Sequence, residues 1–120
     1  MAVLELNKDT MTQTINDNDI VMVDFWAPWC GPCKQFAPTY EAMSEKIEGV
    51  TFAKIDTEAE QELGAQYQIR SIPTLMIFRE QIQIFSQAGA MSAMDLEAVL
   101  DKAKTLDMDK VREEVAKQTE

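Results

Sequence analysis

The sequence predicts an α/β fold in which a central mixed β-sheet is flanked by helices. Apolar runs alternate with helical patterns along the chain, the run Ile20–Trp26 is interrupted only by Asp24, and two short apolar segments, Leu75–Phe78 and Ile82–Phe85, flank a three-residue turn. A nearly continuous apolar run is typical of a central strand covered on both faces, and the two short segments predict a hairpin. We therefore expect the order β-α-β-α-β-α-β-β-α in one domain, residues 1–106.

The remaining elements follow from apolar spacing and from residues that favour helix ends. Two further strands are predicted, at Val3–Leu6 and Phe52–Ile55. Four helices are predicted, at Thr10–Asn16, from about Pro32 to Ile47, from Thr57 to about Tyr67, and from Ser92 through Ala103. Thr10 with Gln13, and Thr57 with Glu60, have the spacing of capping boxes. Pro38 lies within the second helix and predicts a kink there.

Residues 107–120 predict a helical extension after the main domain. Asp109 could cap this helix, with Glu113 and Lys117 paired at i,i+4. The pattern leaves open whether the extension packs on the domain, joins an oligomer contact or projects into solvent.

The composition argues against several classes of function. The net charge of −10 is opposite to what binding of nucleic acid or an anionic membrane surface needs. No segment approaches the roughly 18 apolar residues of a membrane-spanning helix, and the first residues lack a secretory signal pattern. The absence of histidine rules out Cys–His or Ser–His nucleophile pairs and histidine metal ligands. We expect a cytoplasmic protein without nucleic-acid or membrane partners.

The reactive chemistry is expected at Cys30 and Cys33, which lie between a predicted strand and a predicted helix. Unpaired N–H groups and the helix dipole at such a helix start favour a thiolate. Cys30 precedes the helix and is expected to be the exposed sulfur, with Cys33 sheltered in the first turn. Two cysteines do not complete a structural zinc site, so we expect no metal. A metal shared across a dimer, inert thiols and a structural disulfide are the alternatives to redox chemistry.

The segment Val23–Lys34, which contains Trp-Cys-Gly-Pro-Cys-Lys, resembles the active-site signature of the thioredoxin family. Ile72-Pro73-Thr74 is similar to the proline loop of that family, and Ala53–Asp56 to its third strand; the spacing fits from Val3 to about Lys104. The resemblance implies a thioredoxin fold and a protein-disulfide reductase.

The same resemblance implies roles for individual residues. Cys30 would attack a substrate disulfide, Cys33 would resolve the mixed disulfide and leave a redox-active Cys30–Cys33 disulfide, and Asp24, partnered by Lys54, would transfer the proton of Cys33. The family proline that matches Pro73 is cis and faces the disulfide. The implied substrate-binding residues are Trp29, Gly31, Pro32, Ile72, Pro73, Gly89 and Ala90.

Gly31-Pro32 between the cysteines matches the reducing members of the family, because oxidases and isomerases of this fold usually carry a histidine there. The resemblance implies no bound cofactor, electrons from NADPH through a separate thioredoxin reductase, disulfide-containing proteins as substrates, and a monomer. The chain departs from the family at Gln68 and at the turn 79–81, where glycines are usual. Two other functions stay open: a dedicated electron donor to one target, and a redox-independent binding module that uses the groove around Trp29 and Pro73.

Overall fold

The computed structural model describes residues 2–118 and contains, within them, the predicted succession of elements followed by one more helix. The strands are β1 (Val3–Glu5), β2 (Ile20–Trp26), β3 (Thr51–Asp56), β4 (Thr74–Arg79) and β5 (Ile82–Ala88). The helices are α1 (Lys8–Asp17), α2 (Gly31–Lys46), α3 (Gln61–Gln66), α4 (Ala93–Thr105) and α5 (Met108–Gln118). None of these helices is long and apolar enough to cross a membrane.

The sheet places β2 at its centre. The strand order is β1-β3-β2-β4-β5, in which β1, β3 and β2 run parallel while β4 and β5 add antiparallel neighbours. The sheet is therefore mixed, as predicted. All of Ile20–Phe25 is buried, because helices cover both faces of this strand.

Alternate residues of β2 point to opposite sides of the sheet. Met22 packs with buried residues of α2 and α4, whereas Val21 and Val23 pack with buried residues of α1 and α3. Asp24 shares the side of Met22 and so faces α2. This helix continues through Pro38, and the kink expected at that residue stays a prediction.

Two predicted capping boxes were wrong. The side chain of Asn7 caps α1 by accepting from the N–H groups of Asp9 and Thr10, and the Thr10 hydroxyl accepts from the Asn7 N–H at 2.9 Å. Before α3, the Asp56 carboxylate accepts from the N–H groups of the two residues that follow Thr57. Thr57 instead donates its hydroxyl to the carbonyl of Trp26 at 3.0 Å, so α3 begins later, at Gln61.

The start of α5 also differs from the prediction. The Asp107 carboxylate, and not that of Asp109, accepts hydrogen bonds from the first N–H groups of the helix. Lys117 pairs with Glu114, its i,i+3 neighbour, at 3.5 Å and not with Glu113.

The extension packs on the rest of the chain. Met108 is buried, and the Arg112 guanidinium binds the carboxylates of Asp109 and Glu80. Glu80 lies in the β4–β5 turn, so α5 is attached to that hairpin. The last two residues of the predicted extension lie outside the described residues.

Gln68, where the resemblance leads us to expect glycine, has a left-handed backbone conformation. Gln68 has φ of 56° and follows α3, and the N–H of Ile69 bonds the carbonyl of Gly64 at 2.9 Å in the pattern of a Schellman motif. The turn residues Glu80 and Gln81 likewise have φ of 50° and 72°, the combination that a two-residue type I′ hairpin turn needs. The departures from glycine therefore keep the loop geometry and carry strain.

We expect Gln68→Gly to stabilise the protein by about 0.5–1 kcal/mol, because glycine removes the steric cost of the left-handed conformation while loosening the unfolded chain. Urea unfolding measures this change. The control is Gln35→Gly on an exposed face of α2, which should lose about 1 kcal/mol. Equal losses in both variants would contradict the prediction.

Candidate active site

The two cysteines form a disulfide at the first turn of α2. Cys30 is the N-cap residue, and its Sγ accepts a hydrogen bond from the backbone N–H of Cys33 at 3.2 Å. Gly31 and Pro32 occupy the first two helical positions, where proline removes only an N–H that has no partner in the helix. After reduction the same N–H points at the Cys30 sulfur, and a charge-assisted hydrogen bond of this kind stabilises a thiolate.

The predicted exposure of Cys30 was wrong for this disulfide form. Cys30 is 4% exposed and Cys33 is 2% exposed. The two cysteines pack with Ala27 and against Trp26 and Ile72, so the end of β2 and the proline loop cover the helix start. The difference between the two cysteines is much smaller than expected.

The Ile72–Pro73 peptide bond is cis, and its loop lies against the disulfide. The carbonyl oxygen of Ile72 is 3.8 Å from Cys30 Sγ. The N–H of Gly89 donates to the Pro73 carbonyl at 2.7 Å, and φ of 99° at Gly89 is a conformation that glycine adopts without steric cost. This contact joins the segment after β5 to the proline loop.

An exposed surface borders the disulfide. Trp29 is 67% exposed, and Gly31, Pro32 and Ala90 are exposed as well. Ile72 is half-buried. Pro73 is fully buried, so its ring supports the loop and leaves the open surface to its neighbours.

Asp24 lies on β2 beneath this surface and is 4% exposed. Burial raises the pKa of Asp24 from 3.8 to about 7, although the positive charge of Lys54 acts in the opposite direction. Asp24 and Lys54 are register partners on the neighbouring strands β2 and β3. Oδ1 of Asp24 has no hydrogen-bond partner among the described residues. A buried carboxyl with a pKa near neutrality can both accept and release a proton there.

A cavity of about 90 Å³ brings Asp24, Lys54 and Cys33 together. Lys54 holds its ammonium 5.0 Å from the centroid of the Trp26 ring, a cation–π contact. The structure thus places the predicted proton-transfer pair and the second cysteine around one space.

Sequence reasoning missed two polar residues that line this cavity, Tyr40 and Glu41. Tyr40 Oη lies 3.0 and 2.8 Å from the carbonyl oxygens of Met22 and Ala53. The Tyr40 hydroxyl therefore donates its hydrogen bond to the backbones of β2 and β3. Glu41 is two helical turns after Cys33. The spacing i, i+4, i+8 from Cys33 puts Glu41 on the same helix face, and this signal could have found it.

Within residues 2–118, no group of three or more His, Cys, Asp or Glu residues could hold a metal ion. The polar side chains of the cavity include one carboxylate from β2, one from α2 and the Lys54 cation. This arrangement is suited to moving a proton beside a sulfur.

Comparison with known proteins identifies the family. The thioredoxin family model matches residues 2–102. A Streptomyces coelicolor protein assigned as thioredoxin 2 is 50% identical over 117 residues, covering 98% of this chain and 87% of the relative. A thioredoxin of Porphyra purpurea is 40% identical over 104 residues, covering 85% and 97% of the two chains.

A solved structure of similar fold agrees with this result. A mutant thioredoxin from Halobacterium salinarum NRC-1 superposes with a TM-score of 0.80 at 31% identity, covering 88% of this chain and 93% of the other. Both proteins share a mixed sheet with flanking helices, and the disulfide pair of this chain has the Cys-x-x-Cys spacing. The chain belongs to the thioredoxin family and is a thiol–disulfide oxidoreductase.

Proposed function

We propose that this chain is a general protein-disulfide reductase in which Cys30 is the nucleophile. The observation that carries the proposal is the Cys30–Cys33 disulfide at the start of α2, bordered by an exposed surface. In the reduced protein the Cys30 thiolate attacks one sulfur of a substrate disulfide. A bond between Cys30 and that sulfur forms, the substrate S–S bond breaks, and the other substrate sulfur leaves as a thiolate that takes a proton from solvent.

Cys33 completes the reaction. Its thiol gives a proton to Asp24, and the resulting thiolate attacks Cys30 Sγ. The Cys30–Cys33 bond forms, the mixed disulfide breaks and the second substrate thiolate leaves and is protonated. Counting the proton that Cys30 released to solvent when its thiolate formed, the cysteine pair has lost two electrons and two protons, and the substrate has gained two of each. The raised pKa of Asp24, about 7, supports its part, because such a carboxylate accepts a proton at neutral pH.

The substrate surface would consist of Trp29, Gly31 and Pro32 on one side and Ile72, Gly89 and Ala90 on the other. Pro73, which was expected in this surface, is buried and would support it from beneath. Trp29 offers a large exposed ring to an apolar substrate side chain. The backbone of Ile72 lies beside Cys30 and would pair with an extended segment of the substrate, which is a form of strand addition.

The wider setting of the proposal follows from the family. Oxidised protein would be restored by a separate thioredoxin reductase that draws on NADPH, and the chain itself would bind no cofactor. Lys54 would tune Asp24 through its charge. The protein would act as a cytoplasmic monomer on disulfide-containing proteins, with residues 1–106 as the reductase domain and 107–120 as a helical extension.

Reduction of insulin disulfides by dithiothreitol tests the proposal. Catalytic amounts of the wild type should accelerate the reaction, and Cys30→Ser, which keeps the shape of the residue, should not. Acceleration in both proteins would show that Cys30 is not the nucleophile. A folded wild type without activity would contradict a general reductase and favour a dedicated electron donor.

A further inference from the structure

Unsatisfied polar atoms are concentrated around the cavity beneath Cys33. Four buried side-chain polar atoms among residues 2–118 lack a hydrogen-bond partner, and three of them belong to residues that line this cavity: Asp24 Oδ1, Trp26 Nε1 and Glu41 Oε1. A buried polar group without a hydrogen-bond partner destabilises the folded protein. The cavity volume of about 90 Å³ has room for about three water molecules at ~30 Å³ each. Buried water commonly pairs polar atoms that have no partner in the protein.

Glu41 is the carboxylate that joins this cavity to the protein surface. Its Oε1 atom is buried, while the residue as a whole is only half-buried. Asp24 and Cys33 are 4% and 2% exposed, so a proton released by Cys33 has little direct contact with bulk water. Glu41 is the acidic group of the lining that touches both environments.

We propose that Glu41 is a second carboxylate of the proton path, which carries the proton of Cys33 from Asp24 through cavity water to solvent. This inference rests on the proposed function, because it takes Asp24 as the first proton acceptor. In this proposal Glu41 does not contact the substrate or the sulfurs and acts through Asp24. We therefore class it as a positioning residue and not as a catalytic one.

The other charged and titratable groups around the cavity are less suited to this task. The Tyr40 hydroxyl already donates its hydrogen bond to backbone carbonyls of β2 and β3, and burial raises the pKa of this hydroxyl well above the usual range. Lys54 holds its ammonium over Trp26 and supplies a fixed positive charge. Lys34 is exposed on α2, and β1 contributes only the apolar Val3.

The proposed transfer is balanced in protons and moves no electrons. Cys33 loses one proton to Asp24 when its thiolate forms. Asp24 passes one proton through water to Glu41, and Glu41 releases one proton to bulk water. Both carboxylates are then ready for the next cycle, and the reverse sequence would deliver a proton to Cys33 when the disulfide is reduced.

The test follows the two steps of one turnover with an aromatic disulfide whose released thiolate is coloured. Reduced protein should release the first thiolate when Cys30 attacks and the second when Cys33 resolves the mixed disulfide. In Glu41→Gln we expect an unchanged first phase and a second phase slower by roughly threefold to tenfold near pH 7. This loss is smaller than the loss expected on removing a group that exchanges the proton directly with the reacting sulfur. Imidazole buffer should restore the rate as its concentration rises, and Glu41→Asp should recover part of it.

Two comparisons separate a proton path from a structural effect. Glu45→Gln, an exposed carboxylate on the same helix, should leave both phases unchanged. Asp24→Asn should slow the second phase, and Asp24→Asn with Glu41→Gln should be no slower than Asp24→Asn alone.

An unchanged second phase in Glu41→Gln, a loss that imidazole does not restore, or independent losses in the double variant would each overturn the role of Glu41. The role of Asp24 would still be supported by a slower second phase in Asp24→Asn. An unchanged second phase in Asp24→Asn would overturn both.

Discussion

Asp24→Asn is expected to raise the free energy of unfolding of the oxidised protein by about 4 kcal/mol above pH 8. Burial raises the pKa of this carboxyl from 3.8 to about 7 in the folded state. Each tenfold change in an ionisation constant corresponds to about 1.4 kcal/mol. Ionising Asp24 therefore costs the native protein about 4 kcal/mol more than it costs the unfolded chain. Asparagine has nearly the same shape and never ionises.

The gain should depend on pH in a defined direction. The native state binds more protons at Asp24 than the unfolded state between about pH 4 and pH 7, so the stability contributed by this residue falls as the pH rises through that interval. Below pH 4 the carboxyl is protonated in both states, and the wild type and the variant should have similar stability. Above about pH 7 the difference should be constant.

Urea unfolding at pH 4, 6 and 8 measures this profile. Asp101→Asn, an exposed change on α4, is the matched control and should show no pH-dependent gain. A constant difference between wild type and Asp24→Asn at all three pH values would contradict a raised pKa. The stabilised variant should also resolve mixed disulfides more slowly, as expected for a residue that lowers stability in favour of activity.

Cys33→Ser is expected to stop turnover after the first chemical step. Cys30 can still attack, but the serine hydroxyl cannot resolve the mixed disulfide. With the coloured aromatic disulfide, reduced Cys33→Ser should release one equivalent of thiolate where the wild type releases two. Mass spectrometry should find the other half of the reagent attached to Cys30. Insulin reduction should fall below about 1% of the wild-type rate, a loss at least as large as the lower bound for removing one acid–base group.

Cys30→Ser provides the control for this experiment. It keeps Cys33, the resolving cysteine of the proposal, and should release no thiolate rapidly and trap no reagent. Release of two equivalents by Cys33→Ser would remove Cys33 from the resolving role. Trapping on Cys33 in the Cys30→Ser variant would instead exchange the roles of the two cysteines.

The central strand of the fold could be predicted from the sequence. A strand that is buried on both faces leaves a simple pattern in the sequence, a run of apolar residues. Ile20–Trp26 has the predicted bounds of β2 since a strand covered on both faces must be apolar throughout. Helix starts were less predictable. Asn7, Asp56 and Asp107 each bond backbone N–H groups near a helix start, and a sequence with several possible capping residues in a row does not rank them.

The candidate site likewise has features that the sequence predicts and features that depend on tertiary packing. The Cys-x-x-Cys spacing placed the disulfide at the start of α2, where the structure has it. Burial of Cys30 also depends on Ile72, which lies 42 residues further along the chain and which no local pattern connects to the cysteines. Glu41 and Glu45 look alike along the helix, and only the packing of α2 on the sheet places one at the cavity and leaves the other exposed.

The attachment of α5 to the β4–β5 turn has a practical consequence. Arg79, beside that turn, pairs in register with Ile20 at the start of β2, whereas the disulfide follows the other end of that strand. Six residue steps of about 3.3 Å separate the two ends of β2 by ~20 Å. A tether placed after α5, to a sensor surface or a fused reporter, would therefore hold the protein by the end of the sheet remote from the disulfide. Immobilised molecules would present their redox centres towards incoming proteins.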